Sequence, residues 1–94
     1  MRLWVITYDI ADDRRRRELA TLLGHRLERV QESVFEGWLN FMEIREVIEQ
    51  VSVIIEPAED RLRAYPLAVR NEARHQNAGQ QRSAQYPQNF WIVG

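Results

Sequence analysis

Cysteine is absent from the 94-residue chain, which excludes disulfide scaffolds, thiolate zinc sites and thiol nucleophiles. Lysine is absent too, and all 13 basic residues are arginine. Arginine grips planar oxyanions with two parallel hydrogen bonds, although genome base composition alone produces the same bias. No apolar stretch approaches the roughly 18 residues of a membrane-spanning helix, and Met1 to Ile6 lacks the long apolar region and cleavage site of a signal peptide. Both absences point to a cytoplasmic protein with no membrane partner. No glycine-rich ligand loop is visible, and the length leaves no room for a separate cofactor module beside one core. What the chain does have is 45% hydrophobic and 29% charged residues, the balance of a folded globular domain.

The net charge of −1 hides a gradient. Residues 1–36 carry seven arginines against seven acids, residues 37–60 one against six, and residues 61–94 five against one. The two ends therefore suit a polyanion and the middle does not.

Arg2 to Asp9 alternates Leu3, Val5 and Thr7 with Trp4, Ile6 and Tyr8, predicting a central strand apolar on both faces. Asp12 or Asp13 caps a first helix carrying Leu19, Leu22 and Leu23 and ending near Gly24. Leu27 to Leu39 predicts two short strands that reverse near Gln31-Glu32-Ser33. Asn40 caps a second helix with the stripe Phe41, Ile44, Val47, Ile48, Val51, Ile54, Ile55, opposite Glu43, Glu46 and Glu49. Pro57 to Asp60 turns the chain into the strand Arg61 to Tyr65, closed by Pro66. Residues 71–89 are polar and predict a mobile loop, and residues 90–94 a terminal strand.

This order is the βαββαβ pattern of an α+β, ferredoxin-like sandwich: one domain over 1–94, a core over 1–69, and an extra C-terminal strand. Two helices cover only one sheet face. The apolar outer face of the first strand calls for a second copy, so the chain is expected to form a homodimer in which the terminal strand is swapped onto the partner.

Asp9 closes the first strand, where a lone aspartate is either a turn former or a functional carboxylate. Arg14, Arg15, Arg16 and Arg17 then crowd a helix start that already carries partial positive charge. That run is either a solvated face paired with nearby acids or a phosphate receptor. One carboxylate is too few for a tight metal cage, yet magnesium commonly uses one or two carboxylates with waters and substrate phosphates. A dimer axis would bring two Asp9 side chains together. His25 and His75 share no ligand spacing with any acid, and Ser33 has no local base.

The run Tyr8-Asp9-Ile10-Ala11-Asp12-Asp13 with its following arginines, then Arg29-Val30-Gln31-Glu32-Ser33-Val34-Phe35-Glu36-Gly37, resembles the Cas-two family of CRISPR-associated proteins. The likeness covers residues 1–67, includes Asp60 before Tyr65-Pro66-Leu67, and extends to the terminal strand. It implies a ferredoxin-like homodimer that bridges the CRISPR integrase subunit and supports DNA during spacer capture. It also implies metal-dependent endonuclease activity on RNA or DNA in some members, with magnesium or manganese. Carried onto this chain, the catalytic and metal-binding residue is Asp9, beside Tyr8, and the other matched positions are Arg16, Arg29, Ser33 and Phe35; with the residue-based reading of the run Arg14, Arg15, Arg16 and Arg17 as phosphate contacts, these form the expected nucleic-acid-binding set. Tyr8 and Phe35 have a plainer role as core aromatics, Arg29 as a surface charge and Ser33 as a turn residue. A non-catalytic alternative is a single-stranded RNA-binding module of the same topology, stacking bases on Trp4, Tyr8 and Phe35. The acidic side of the second helix is either an integrase dock or a solvated face.

Overall fold

In the computed structural model, which describes residues 1–67 and 91–93, the elements follow the expected order. They are β1 (Arg2–Asp9), α1 (Asp13–Leu23), β2 (Glu28–Gln31), β3 (Val34–Leu39), α2 (Phe41–Ile54), β4 (Arg61–Pro66) and β5 (Trp91–Val93). The sheet has five strands in the order β2-β3-β1-β4-β5, and every neighbouring pair is antiparallel. Its first four strands have the ferredoxin-like arrangement, with β1 in the interior between β3 and β4. No helix among the described residues is long and apolar enough to cross a membrane.

Period-two alternation divides the sheet cleanly. Trp4, Ile6 and Tyr8 of β1, Phe35 and Leu39 of β3, and Leu62 and Ala64 of β4 are buried, with Leu19 and Leu23 of α1 and Ile44, Val47 and Val51 of α2. The opposite face carries Leu3, Val5 and Thr7, then Val34, Glu36 and Trp38, then Arg61, Arg63 and Tyr65. Among the described residues no helix covers it, and Trp38 there is 55% exposed. A steric reason for the tight corner between α1 and β3 lies at Gly37. A Cβ at that position would stand 2.7 Å from Leu27 Cδ2 and 3.3 Å from the Arg26 carbonyl, so a larger residue would force the Leu27 side chain to shift and crowd the backbone behind it.

Both helix starts are capped as their sequences predict. The Asp12 carboxylate accepts from the Arg15 amide at 3.0 Å. Asn40 and Glu43 form a reciprocal box, each side chain accepting from the other's amide at 2.8 Å. Glu43 is therefore engaged in its own helix, and Glu46 pairs with Arg26 at 2.8 Å. Phe41, expected in the buried stripe of α2, is 58% exposed at the first helical position, where it borders a cavity with Arg2, Trp4 and Leu39.

The expected strand swap is not what the single chain contains. β5 pairs with β4 of its own chain, Val93 opposite Leu62 and Trp91 opposite Ala64. The outer edge of β4 otherwise presents unpaired amides and carbonyls, and β5 satisfies them locally. The polar segment 71–89, with His75, lies outside the described residues.

Candidate functional site

Asp9 is the last residue of β1 and is exposed on the helix-free side. Antiparallel pairing places Arg61 directly opposite Asp9 and Arg63 directly opposite Thr7. Thr7, Tyr8, Asp9, Arg61 and Arg63 line one open cavity of about 430 Å³. Among the described residues, Asp9, Arg61 and Arg63 make no side-chain hydrogen bond or ion pair. One carboxylate and two guanidiniums thus stand free at one end of the sheet.

Tyr8 and Phe35 point to the opposite face and are 7% and 2% exposed. Their rings stack on each other at 6.2 Å between centroids, and the Arg29 guanidinium lies over Phe35 at 5.4 Å. The Tyr8 hydroxyl donates to the Glu32 carbonyl at 3.2 Å, and Arg29 Nη2 donates to the same oxygen at 2.6 Å. The Ser33 carbonyl accepts from the Tyr8 amide at 3.2 Å. In this chain the faces of the two aromatics are buried against each other and the core, which leaves neither exposed for stacking on a base. Together with Trp4, 3% exposed, they also remove the base-stacking surface of the RNA-binding alternative. What Tyr8, Arg29, Ser33 and Phe35 do here is fasten the β2–β3 turn to the end of β1, beside Asp9.

The four arginines of α1 divide by environment. Arg15 donates from Nε to Asp60 at 2.8 Å and from Nη2 to Glu59 at 3.0 Å. Arg16 pairs with Asp13 and donates to the Ile10 carbonyl at 3.0 Å. Both are tied to carboxylates or a carbonyl of the same chain through some of their five N–H donors, Arg15 through Nε and Nη2 and Arg16 through Nη1 and Nη2. Arg14 and Arg17 are exposed, form no ion pair among the described residues, and border an open groove with Leu22 and Ile54.

Asp60 is the group whose importance the sequence hid. It is fully buried and accepts from the Ala11 amide at 3.0 Å, the Glu56 amide at 2.8 Å and the Arg15 guanidinium. Burial alone would push its carboxyl up. The Arg15 hydrogen bond, the two amides and the arginine's charge outweigh that effect and hold it at about 2, below the usual 3.8. The same hydrogen bond raises the Arg15 pKa. Arg61 and Arg63 also escaped notice as site residues, since only the β1–β4 register brings them beside Asp9. Their signal is the short alternation Arg61-Leu62-Arg63-Ala64 directly after a turn.

Among the described residues, no three His, Asp or Glu side chains gather to hold a metal ion. Asp9 offers the cavity it lines with Arg61 and Arg63 its one carboxylate, free and exposed, the donor type magnesium prefers. The chain thus fits a loosely held ion that takes its remaining ligands from water and substrate phosphate, or from a second Asp9 across a dimer axis.

The fold and the site together define a ferredoxin-like domain with an acid and two bases displayed on its uncovered sheet face. The family model described as "CRISPR associated protein Cas2" matches residues 1–75, and the chain belongs to that family. Among its relatives, a "CRISPR-associated endoribonuclease Cas2 3" of Synechocystis sp. is 47% identical over 68 residues, covering 72% of this chain and 74% of the relative. A "CRISPR-associated endonuclease Cas2 2" of Thermus thermophilus is 42% identical over 67 residues, covering 71% and 74%. The crystal structure of Streptococcus pyogenes Cas2 superposes with a TM-score of 0.66 at 26% identity, covering 86% of this chain and 99% of that one.

Proposed function

We propose that the chain is a dimeric, nucleic-acid-binding endonuclease of CRISPR defence, with Asp9 as its catalytic carboxylate. The observation that supports this most directly is the free, exposed Asp9 carboxylate beside two free arginines, in a family whose relatives carry the names endoribonuclease and endonuclease. The helix-free face joins two copies, so that the two Asp9 side chains approach a common axis. Asp9 would hold a magnesium ion, which supplies positive charge and an acidified water for phosphodiester hydrolysis. The chain's own contribution is positional. β1, hydrogen-bonded to β3 and β4, holds the carboxylate, and the Tyr8–Glu32 tie keeps the neighbouring turn from swinging across it.

The test is cleavage of labelled RNA and duplex DNA in magnesium by wild type and by Asp9→Asn. Cleavage should fall at least about 100-fold in the variant while binding persists. Equal cleavage by both proteins overturns the catalytic role.

A scaffold role in the spacer-integration complex, beside the integrase subunit, is the second reading. Arg14 and Arg17 favour it, because exposed arginines without partners suit sequence-independent phosphate contacts. Spacer acquisition that survives Asp9→Asn in cells but fails in Arg14→Gln/Arg17→Gln supports that role.

A further inference from the structure

Arg61 and Arg63 are two residues apart on one strand, so both side chains leave the same face of β4, their Cα atoms about 6.5–7 Å apart. Like charges on one face of a sheet repel, and a protein with acids to spare ordinarily places one between them. Here Asp9 lies opposite Arg61 in the register, yet no ion pair forms. Both guanidiniums and the carboxylate instead border the same open cavity of about 430 Å³. Among the described residues Arg14 and Arg17 are likewise without an ion pair, but five other arginines are treated differently. Arg15, Arg16, Arg26, Arg29 and Arg45 are each committed to a carboxylate, a carbonyl or a ring.

We infer that Arg61 and Arg63 form a two-pronged clamp that holds one backbone phosphate of a nucleic acid against Asp9. The chemistry suits that occupant. A phosphodiester has two non-bridging oxygens, and guanidiniums on either side can each meet one with paired N–H donors. The three charges sum to +1 in the absence of ligand, and a phosphodiester anion neutralises them. The clamp also explains the free state of Asp9: an ion pair with Arg61 would occupy both the phosphate's donor and the reacting carboxylate. Thr7, on the floor of the cavity opposite Arg63, adds a small hydroxyl that leaves room for the phosphate. The inference rests on the proposal that this chain binds nucleic acid and deepens it by naming the residues that grip the backbone beside the reacting carboxylate.

The experiment is fluorescence anisotropy of a labelled mixed-sequence duplex DNA and a labelled single-stranded RNA, titrated with protein over a range of salt concentrations. Wild type, Arg61→Gln/Arg63→Gln and the control Arg45→Gln are compared, with circular dichroism and sedimentation reporting fold and association. Loss of one phosphate contact should reduce the slope of log K against log salt by about 0.9 for duplex DNA and about 0.7 for the single strand. Affinity at low salt should fall about 10-fold, with fold and association state unchanged and the control like wild type. An unchanged slope in the double variant overturns the clamp and leaves the proposed function standing. A wild type with no salt-dependent binding to either probe overturns both. A double variant that binds normally per folded molecule but loses its dimer also overturns the clamp, assigning the two arginines to a contact between copies.

Discussion

Asp60 stays ionised without touching solvent because two amides and a guanidinium converge on its two oxygens. It ties the start of α1 to the turn before β4, which is why two of the most similar-looking residues in the chain should respond differently to mutation. Arg15→Ala strands a buried carboxylate and should cost about 3–5 kcal/mol, whereas Arg14→Ala removes an exposed side chain and should stay within about 0.5 kcal/mol; urea denaturation separates them. The same group sets the acid limit. Its folded-state pKa lies below the unfolded value, so its stabilisation is complete above about pH 4 and is lost as pH falls toward 2. Melting temperature should drop across that window in the wild type, and the drop should be shallower in Asp60→Asn, which is less stable throughout. Asp60 was visible in the sequence only as part of a family resemblance. A lone aspartate before a strand has the same local signature whether it is buried or solvated, and only tertiary packing distinguishes the two. For the same reason the run Arg14 to Arg17 looked uniform, while its partners, Glu59 and Asp60, lie more than forty residues away.

At the scale of elements, alternation and capping were sufficient to place β1, α1, α2 and β4, because periods of two and 3.6 are fixed by the backbone itself. The β2–β3 reversal was legible too, through its turn. What the pattern could not supply was which side of β1 held the site. Tyr8 and Asp9 are neighbours in sequence, yet they leave opposite faces of the strand, one into the core and the other toward solvent. The family-derived group of Tyr8, Arg29, Ser33 and Phe35 therefore supports the site from behind. Element packing makes its own prediction at Gly37. Replacement by alanine drives a methyl group into Leu27 and should destabilise the chain by about 1–3 kcal/mol, measurable as a lower denaturant midpoint. Gly37→Ala combined with Leu27→Ala should cost less than the sum of the two single changes, since the closest atom belongs to that buried side chain.

For the whole molecule, the uncovered sheet face sets the behaviour. Leu3, Val5, Val34, Tyr65 and the half-exposed Trp38 form an apolar field bordered at one end by Asp9, Arg61 and Arg63. A face of this kind on a small domain favours self-association. Sedimentation should report a dimer for wild type and a shift to monomer for Trp38→Glu, which sets a charge in that field; a wild-type monomer at micromolar concentration contradicts the dimer. The order β2-β3-β1-β4-β5 adds one further property. β1 is an interior strand, paired on both sides along almost its whole length, and interior strands are the last to exchange their amide hydrogens with solvent. Asp9 hangs from the end of that slow-opening strand. Under the proposed function, substrate would meet a carboxylate whose position was settled when the protein folded, with little reorganisation left for the moment of reaction.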